Sequence, residues 1–260
     1  MKHAGNTILI TGGGSGIGRE LARRFNDLGN EVIVAGRRRD ALDATIGNRQ
    51  MMAAYTLDVD DPASVRAFAR RVTDQHPGLN VLVNCAGVMR YEGLTVERDL
   101  RDAEETVATN LLGPIRLMNA FISQLVEQPD TAIINVSSGL AFVPFAVAPT
   151  YSATKAAIHS YTVALRERLT GKVEVIEIVP PAVRTDLTPG QRTREDYMPL
   201  DDFIEETMTL LQRQPTPSEI LVERVKYLRN AEADGRFDQA LAALSAHEVL
   251  SPAERTGARP

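Results

Sequence analysis

Only one cysteine, Cys85, occurs in the 260 residues. No intrachain disulfide can form, and a reducing, cytoplasmic setting is expected. The four histidines, His3, His76, His159 and His247, fall at no ligand spacing and have no cysteine or aspartate cluster beside them, so no metal is expected. Basic residues are not in excess: 29 Lys and Arg face 34 Asp and Glu, for a net charge of −5. The chain therefore lacks the basic face of a nucleic-acid or anionic-membrane binder, and neither partner is expected. The apolar run at 8–10, behind Lys2 and His3, is too short for a signal core. The stretch 131–154 carries no charged residue and is long enough to span a bilayer. It also holds Asn135, Ser137, Ser138, Ser152 and two prolines, which suits a buried strand and a pocket-lining loop better than a lipid-facing helix.

What remains is ordinary globular composition, 43% hydrophobic and 24% charged. The length fits one α/β domain, which can bury a core without disulfides or structural metal. Apolar runs alternate with amphipathic segments. Strands are predicted at 7–11, 31–35, 52–57, 80–84, 132–136, 173–179 and 220–222. Helices are predicted at 16–28, 40–46, 62–75, 100–127, 151–169, 201–213 and, broken at Gly235, 225–246. Asp61 sits where an N-cap belongs, with Pro62 at the first helical position. Gly113-Pro114 predicts a bend in the long helix. Strand and helix in alternation imply parallel pairing with right-handed crossovers. The irregular segment 180–200 reads as a functional loop, with 188–200 closing over a site.

The first strand runs into Thr11-Gly12-Gly13-Gly14-Ser15-Gly16-Ile17-Gly18. Glycines admit close backbone approach, and a helix beginning there aims free N–H groups at that point; a diphosphate is the natural occupant. After the second strand, Gly36-Arg37-Arg38-Arg39 precedes any carboxylate. A guanidinium suits a ribose 2′-phosphate, so Arg37 favours NADP(H) over NAD(H), while a solvated basic turn accounts for Arg38 or Arg39. Asp40 must then point away. Asp58, with Val59 beside it, and Asn84-Cys85-Ala86-Gly87 follow the third and fourth strands, at the strand ends where open sheets bind ligands. Asp58 is a candidate acceptor for the adenine amino group, and Ala86-Gly87 leaves room for the ribose.

Ser138 ends the fifth strand, and Tyr151 and Lys155 stand four apart on one helix face. A phenol with a reference pKa of about 10 exchanges protons poorly at neutral pH. A nearby ammonium favours its anion, so Tyr151 reads as a proton donor and acceptor whose pKa Lys155 lowers, with Ser138 holding the substrate oxygen. Phe142, Val143, Pro144, Phe145 and Val147 fit a substrate wall or plain core. Leu140, Phe142, Val143, Met89, Tyr91, Pro181, Leu187 and Met198 together predict an apolar pocket. Cys85 reads as a small buried residue and His159 as packing or interface.

These motifs resemble those of the short-chain dehydrogenase/reductase family. The likeness spans 7–187 and rests on residues 11–18, Asp58, 84–87, Asn110, 135–138, Tyr151 to Lys155 and 180–185. Residues 138–142 with Pro180-Pro181 are similar to the subgroup encoded beside the D-alanyl-lipoteichoic acid genes. The resemblance implies a Rossmann-like doubly wound parallel sheet of about seven strands in the order 3-2-1-4-5-6-7, with helices on both faces. It implies a single NAD(P)-binding domain over 1–250, substrate loop 186–200 included, and a disordered tail at 251–260. It also implies that Gly12, Ser15, Gly16, Ile17, Gly18, Asn84, Tyr151, Lys155, Pro181, Val183 and Thr185 hold the cofactor. Thr185 and the Val183 backbone would meet the carboxamide, and Asn110 would hold a water that links Lys155 to solvent. Cys85 stands where the family has a second asparagine, and Pro181 where it has glycine. Ser15 is not the basic residue of many NADP-dependent members, so that preference rests on Arg37. The usual C-terminal strand with its glycine-rich ending is missing, which favours a homodimer over a homotetramer. The expected activity is NADPH-dependent reduction of a small-to-medium apolar ketone, or oxidation of the corresponding secondary alcohol. A nucleotide-sensing regulator without turnover is the alternative, and the presence of Tyr151 and Lys155 argues against it.

Overall fold

The computed structural model describes residues 1–246. Among them seven strands form one parallel sheet in the order β3-β2-β1-β4-β5-β6-β7. They are β1 (Thr7–Thr11), β2 (Glu31–Gly36), β3 (Met52–Thr56), β4 (Leu79–Asn84), β5 (Ala132–Val136), β6 (Glu174–Ile178) and β7 (Glu219–Ile220). The helices between them are α1 (Gly16–Asp27), α2 (Arg39–Ile46), α3 (Pro62–Gln75), α4 (Arg101–Val107), α5 (Gly113–Glu127), α6 (Pro149–Arg168) and α7 (Leu200–Leu211). Short α8 (Lys226–Arg229) and α9 (Phe237–Ala246) follow β7. The expected tail at 251–260 and the end of the expected domain at 250 lie outside the described residues.

Both faces of the central strands are buried, which is why they read as continuous apolar runs. Ile8, Val34, Ile134 and Ile178 face one way, against Leu21 and Phe25 of α1 and Phe203 and Ile204 of α7. Leu9, Ile33, Leu82 and Ile133 face the other, against Phe68 of α3, Phe121 of α5 and Ile158 of α6. At the amino ends of the strands, Asn6, Asn30 and Asn80 close the sheet with buried hydrogen bonds of 2.8–3.0 Å. The strand order reverses between β1 and β4, and this opens a crevice at their carboxyl ends. Asp61 caps α3, its side chain accepting from Ala63 N at 2.8 Å.

The predicted bend falls earlier than Gly113-Pro114. Residues Ala108–Leu112 form a π-helical turn between α4 and α5. Proline has no N–H, so Pro114 cannot donate the regular i+4 bond to the carbonyl of Asn110. The turn widens there and carries Asn110 with it. The last strand is shorter than 220–222 suggested, and the helical tail breaks around Gly235, whose φ is +66°. The uncharged stretch 131–154 is β5, a loop and the start of α6, and no described helix is long and apolar enough to cross a membrane.

Two glycines lock the first crossover. A Cβ on Gly18 would lie 2.5 Å from the Gly12 carbonyl oxygen, and one on Gly12 would lie 2.9 Å from Ala86 Cα. Gly18→Ala should therefore push α1 off β1 and lower the unfolding free energy by about 1–3 kcal/mol, measured by urea denaturation.

Candidate active site

Thr11 joins the carboxyl ends of β1 and β4. Its Oγ1 accepts from Cys85 N at 3.1 Å and from Ala86 N at 3.2 Å. Over this junction lies a cleft of about 200 Å³ walled by Gly12, Ser15, Arg37, Asp58, Val59, Ala86 and Gly87. Ser15 is the N-cap of α1 but its side chain makes no capping bond, and the first turn carries no acid. The helix therefore presents open N–H groups and a partial positive charge to the cleft. Arg37 and Arg38 both stand on its wall. Arg38, exposed at the turn, donates from Nη2 to Ser15 Oγ at 3.3 Å and so also borders the cleft. Arg37 reaches across the mouth, 3.7 Å from Glu105 and 4.0 Å from Asp60. Arg39 turns away to Asp43, and Asp40 lies in α2 rather than on the wall. The open end of α1 suits a dinucleotide diphosphate.

Not every expected cofactor residue faces the cleft. Ile17 packs on the core beneath α1, Gly18 on Gly12, and Asn84 is buried with Nδ2 donating to Asn135 Oδ1 at 2.8 Å. Thr185 comes up against Gly16, where a Cβ would lie 3.4 Å from the threonine methyl. Gln191 holds it there, donating to Thr185 Oγ1 at 3.1 Å and to the Val183 carbonyl at 2.7 Å.

α6 delivers Tyr151 and Lys155 to the edge of this cleft. The Tyr151 hydroxyl comes near Ser138, whose Oγ accepts from Leu140 N at 3.1 Å. Lys155 Nζ donates to the Val136 carbonyl at 2.9 Å and lies 5.5 Å from the Tyr151 ring centroid. A Cβ on Gly87 would stand 3.3 Å from Asn110 Oδ1 and 3.9 Å from Lys155 Nζ, so both groups meet the turn after β4. Asn110 clamps that turn from both sides: Oδ1 accepts from Val88 N at 2.9 Å and Nδ2 donates to Val88 O at 2.8 Å.

Ser138 and Tyr151 also line a second cavity of about 350 Å³, the size of a small-ligand pocket. Met89, Tyr91, Leu140, Phe145, Pro181 and Leu187 make its apolar wall. Three predicted wall residues are elsewhere. Phe142 turns onto His159, with ring centroids 4.7 Å apart, and under the Arg229 guanidinium. Val143 is buried with Ala231 and Ala240, and Met198 is buried in the core, bridged to Val183. The segment 188–200 is tied down by Gln191 and by Arg184, which donates to the Tyr197 carbonyl at 3.0 Å. Arg192 pairs with Asp186 and Arg194 with Asp196. Sequence reasoning missed the far wall, where Arg224, Tyr227, Leu228 and Leu244 arrive from the segment after β7. The one signal was Gly139, where a Cβ would lie 2.9 Å from Leu228. It announced a close approach without naming what approaches.

A family model described as short chain dehydrogenase matches residues 6–196. The chain belongs to that family. Within it, the uncharacterized oxidoreductase DltE of Bacillus subtilis (strain 168) is 38% identical over 92% of this chain and 98% of its own. This agrees with the subgroup likeness of residues 138–142 and Pro180-Pro181. A short-chain dehydrogenase from Streptomyces avermitilis shares the fold at a TM-score of 0.79, with 24% identity over 91% of this chain and 96% of that one. The closed form of a serine dehydrogenase, complexed with NADP+, superposes at 0.73, with 26% identity over 82% of this chain and 90% of that one.

In this family member, burial dominates the ionisation of the site. It pushes Tyr151 up to about 12, against the pull of the nearby Ser138 hydroxyl. It pushes Lys155 down to about 8, with Cys85 and Glu177 acting the other way. In the protein alone burial thus sets the phenol above its ordinary value, while the Lys155 ammonium is turned to the Val136 carbonyl. Burial also raises Cys85 to about 11, opposed by Lys155. A raised thiol pKa means less thiolate, the form that reacts. At pH 8 the native protein should react with a thiol reagent roughly a hundredfold more slowly than the urea-unfolded chain, whose thiol sits near 9.0. The absorbance of the released chromophore checks this.

Proposed function

We propose that the protein is an NADPH-dependent carbonyl reductase, or in reverse a secondary-alcohol dehydrogenase, for a small-to-medium apolar substrate. One observation carries the reading: Tyr151 and Ser138 stand together on the wall of an apolar cavity beside Lys155, which borders the nucleotide cleft at Gly87. Gly12, Ser15, Gly16 and the open end of α1 would hold a diphosphate, with Ala86 and Gly87 beside the adenine ribose and Asp58 and Val59 at the base. Val183 and Thr185 would meet the carboxamide. Arg37 and Arg38 would take the 2′-phosphate, and NADP+ in the similar serine dehydrogenase supports that choice. NADPH, when bound, supplies the hydride for the carbonyl carbon.

The protein's own groups handle the proton. Tyr151 gives it to the carbonyl oxygen and takes it back from the alcohol. The Ser138 hydroxyl holds that oxygen in place. The Lys155 ammonium stabilises the phenolate left behind and binds the ribose hydroxyls, while Asn110 joins a relay behind it through a bound water. Burial keeps the phenol protonated until a substrate oxygen can accept its proton, which suits reduction. Leu140, Pro181 and Leu187 exclude water and favour an apolar ketone over a strongly anionic one. Exposed Val107, Leu112, Tyr161 and Val163 on α4, α6 and the turn between α4 and α5 support self-association as a dimer.

Tyr151→Phe separates this reading from a nucleotide sensor without turnover. Ketone-dependent NADPH oxidation should fall by a factor of about 10² or more while NADPH binding survives. Undiminished turnover removes Tyr151 as the acid. For the cofactor, Arg37→Asp combined with Arg38→Asp should weaken NADPH binding by about tenfold or more beyond any loss for NADH. Equal losses in fluorescence titration would mean that neither arginine reads the phosphate.

A further inference from the structure

The cavity beside Tyr151 is not uniform. Ser138 and Tyr151 are buried members of its lining, each 7% exposed. Asp196, Arg224 and Tyr227 are exposed members and mark its mouth. The rest of the wall is mostly apolar, with Leu140, Leu187 and Leu228. Asp196 and Arg224 are the two charged residues of the lining among the described residues, so both charges sit at the mouth.

These two charges do not compensate each other. Arg194 holds both oxygens of Asp196, through Nε and Nη2, at 2.9 Å each. Arg224 Nη2 donates instead to the backbone carbonyl of Asp196. The other acids near the mouth are also paired: Glu223, next to Arg224 in sequence, with Lys226, and Asp234 with Arg236, whose guanidinium lies over the Tyr227 ring. Among the described residues Arg224 enters no ion pair. A neutral carbonyl takes up one of its several N–H donors and leaves its positive charge unbalanced.

The segment that carries Arg224 is fixed against the reactive end. A Cβ on Gly139, next to Ser138, would lie 2.9 Å from Leu228 and 3.0 Å from Val225. Residues 224–228 are therefore pressed onto the turn that follows Ser138. Arg229 ties α8 to β7, donating from Nε to Glu219 Oε2 at 2.9 Å and from Nη2 to Oε1 at 3.1 Å. The separation of Arg224 from Ser138 is thus set by packing before any ligand arrives, and a cation held in advance costs little to recruit.

We infer that Arg224 determines specificity by binding the carboxylate of an oxo acid, whose apolar chain fills the cavity and whose ketone reaches Tyr151 and Ser138. A guanidinium offers parallel N–H groups that match the two oxygens of a carboxylate. One unbalanced positive charge answers one negative charge, whereas a phosphate dianion would keep a surplus. The apolar wall selects the chain, and the charge stays at the mouth in contact with water, where its desolvation is slight. The ketone in this inference rests on the reaction proposed above; the anion site does not.

Two measurements test this. In the first, straight-chain methyl ketones ending in a carboxylate are each compared with their own primary amide, with NADPH as reductant. At the chain length that spans the cavity, kcat/KM should favour the acid in the wild-type protein. Arg224→Gln should lower the acid-to-amide ratio by roughly fivefold or more, Arg224→Glu should bring it below one, and Arg224→Lys should restore part of it. In the second, octanoate and octanamide, which cannot be reduced in this way, are titrated calorimetrically into the cofactor-free protein. Octanoate should bind the wild type more tightly, and Arg224→Gln should erase the difference. A wild-type protein that prefers neither acid nor octanoate overturns the inference, whatever the variants do. So does an equal loss for acid and amide in Arg224→Gln, which would mean that Arg224 only ties down the segment 188–200. If no ketone is turned over while the octanoate preference persists and depends on Arg224, the proposed reaction falls and the anion site stands.

Discussion

The structure depends on how polar groups are buried beneath α6. The inner face of this helix carries Tyr151, Lys155, His159 and Thr162, where a helix on a sheet would ordinarily present apolar side chains. Lys155, His159 and Thr162 meet fixed partners in the Val136 carbonyl, Glu177 and Asn135, and Tyr151 stands with Ser138 on the cavity wall. An unpaired polar group in such a place would cost more than its hydrogen bond returns, so the partners fix the height and rotation of the helix. That placement aims the phenol at one cavity and the amine at the cleft beside it.

The low dielectric that makes these pairs strong also sets the ionisation of the site. Tyr151 is held protonated and Lys155 is brought close to neutral pH by the same desolvation. Under the proposed function, a substrate oxygen in the cavity would meet dipoles that are already oriented, which is where most of the electrostatic advantage of an enzyme arises. The neighbouring cleft is built on a different principle. Backbone N–H groups at the start of α1 and two guanidinium groups offer positive charge without any buried ion. The two regions share the turn after β4, which Thr11 holds from one side and Asn110 from the other.

Much of this was legible in the residues. The segment Pro62–Gln75 is read correctly to the residue because a capping aspartate and a proline mark its start. The glycine loop, Ser138, Tyr151 and Lys155 lie where strand ends and i,i+4 spacing put them. Failures cluster where the partner is distant in sequence. Phe142, Val143 and Met198 are apolar residues in the right segments, but local pattern cannot tell a cavity wall from core. Arg38 and Arg37 are adjacent and chemically identical, and only the path of the chain after β2 brings both to the cleft. The π-helical turn was half visible: Pro114 signalled a disturbance, while its effect falls on the carbonyl four residues before it.

The sequence by itself determined the order of strands and helices, the glycine-lined start of α1 and the spacing of phenol and amine. These follow from short-range rules of periodicity, backbone freedom and capping. Tertiary structure alone decided that Glu177 and Glu219 lie side by side under a histidine, and that the segment after β7 closes the apolar cavity beside Tyr151. It also decided that burial sets the state of Tyr151. Those outcomes depend on strand register and on distance from water, and neither quantity is encoded locally along the chain.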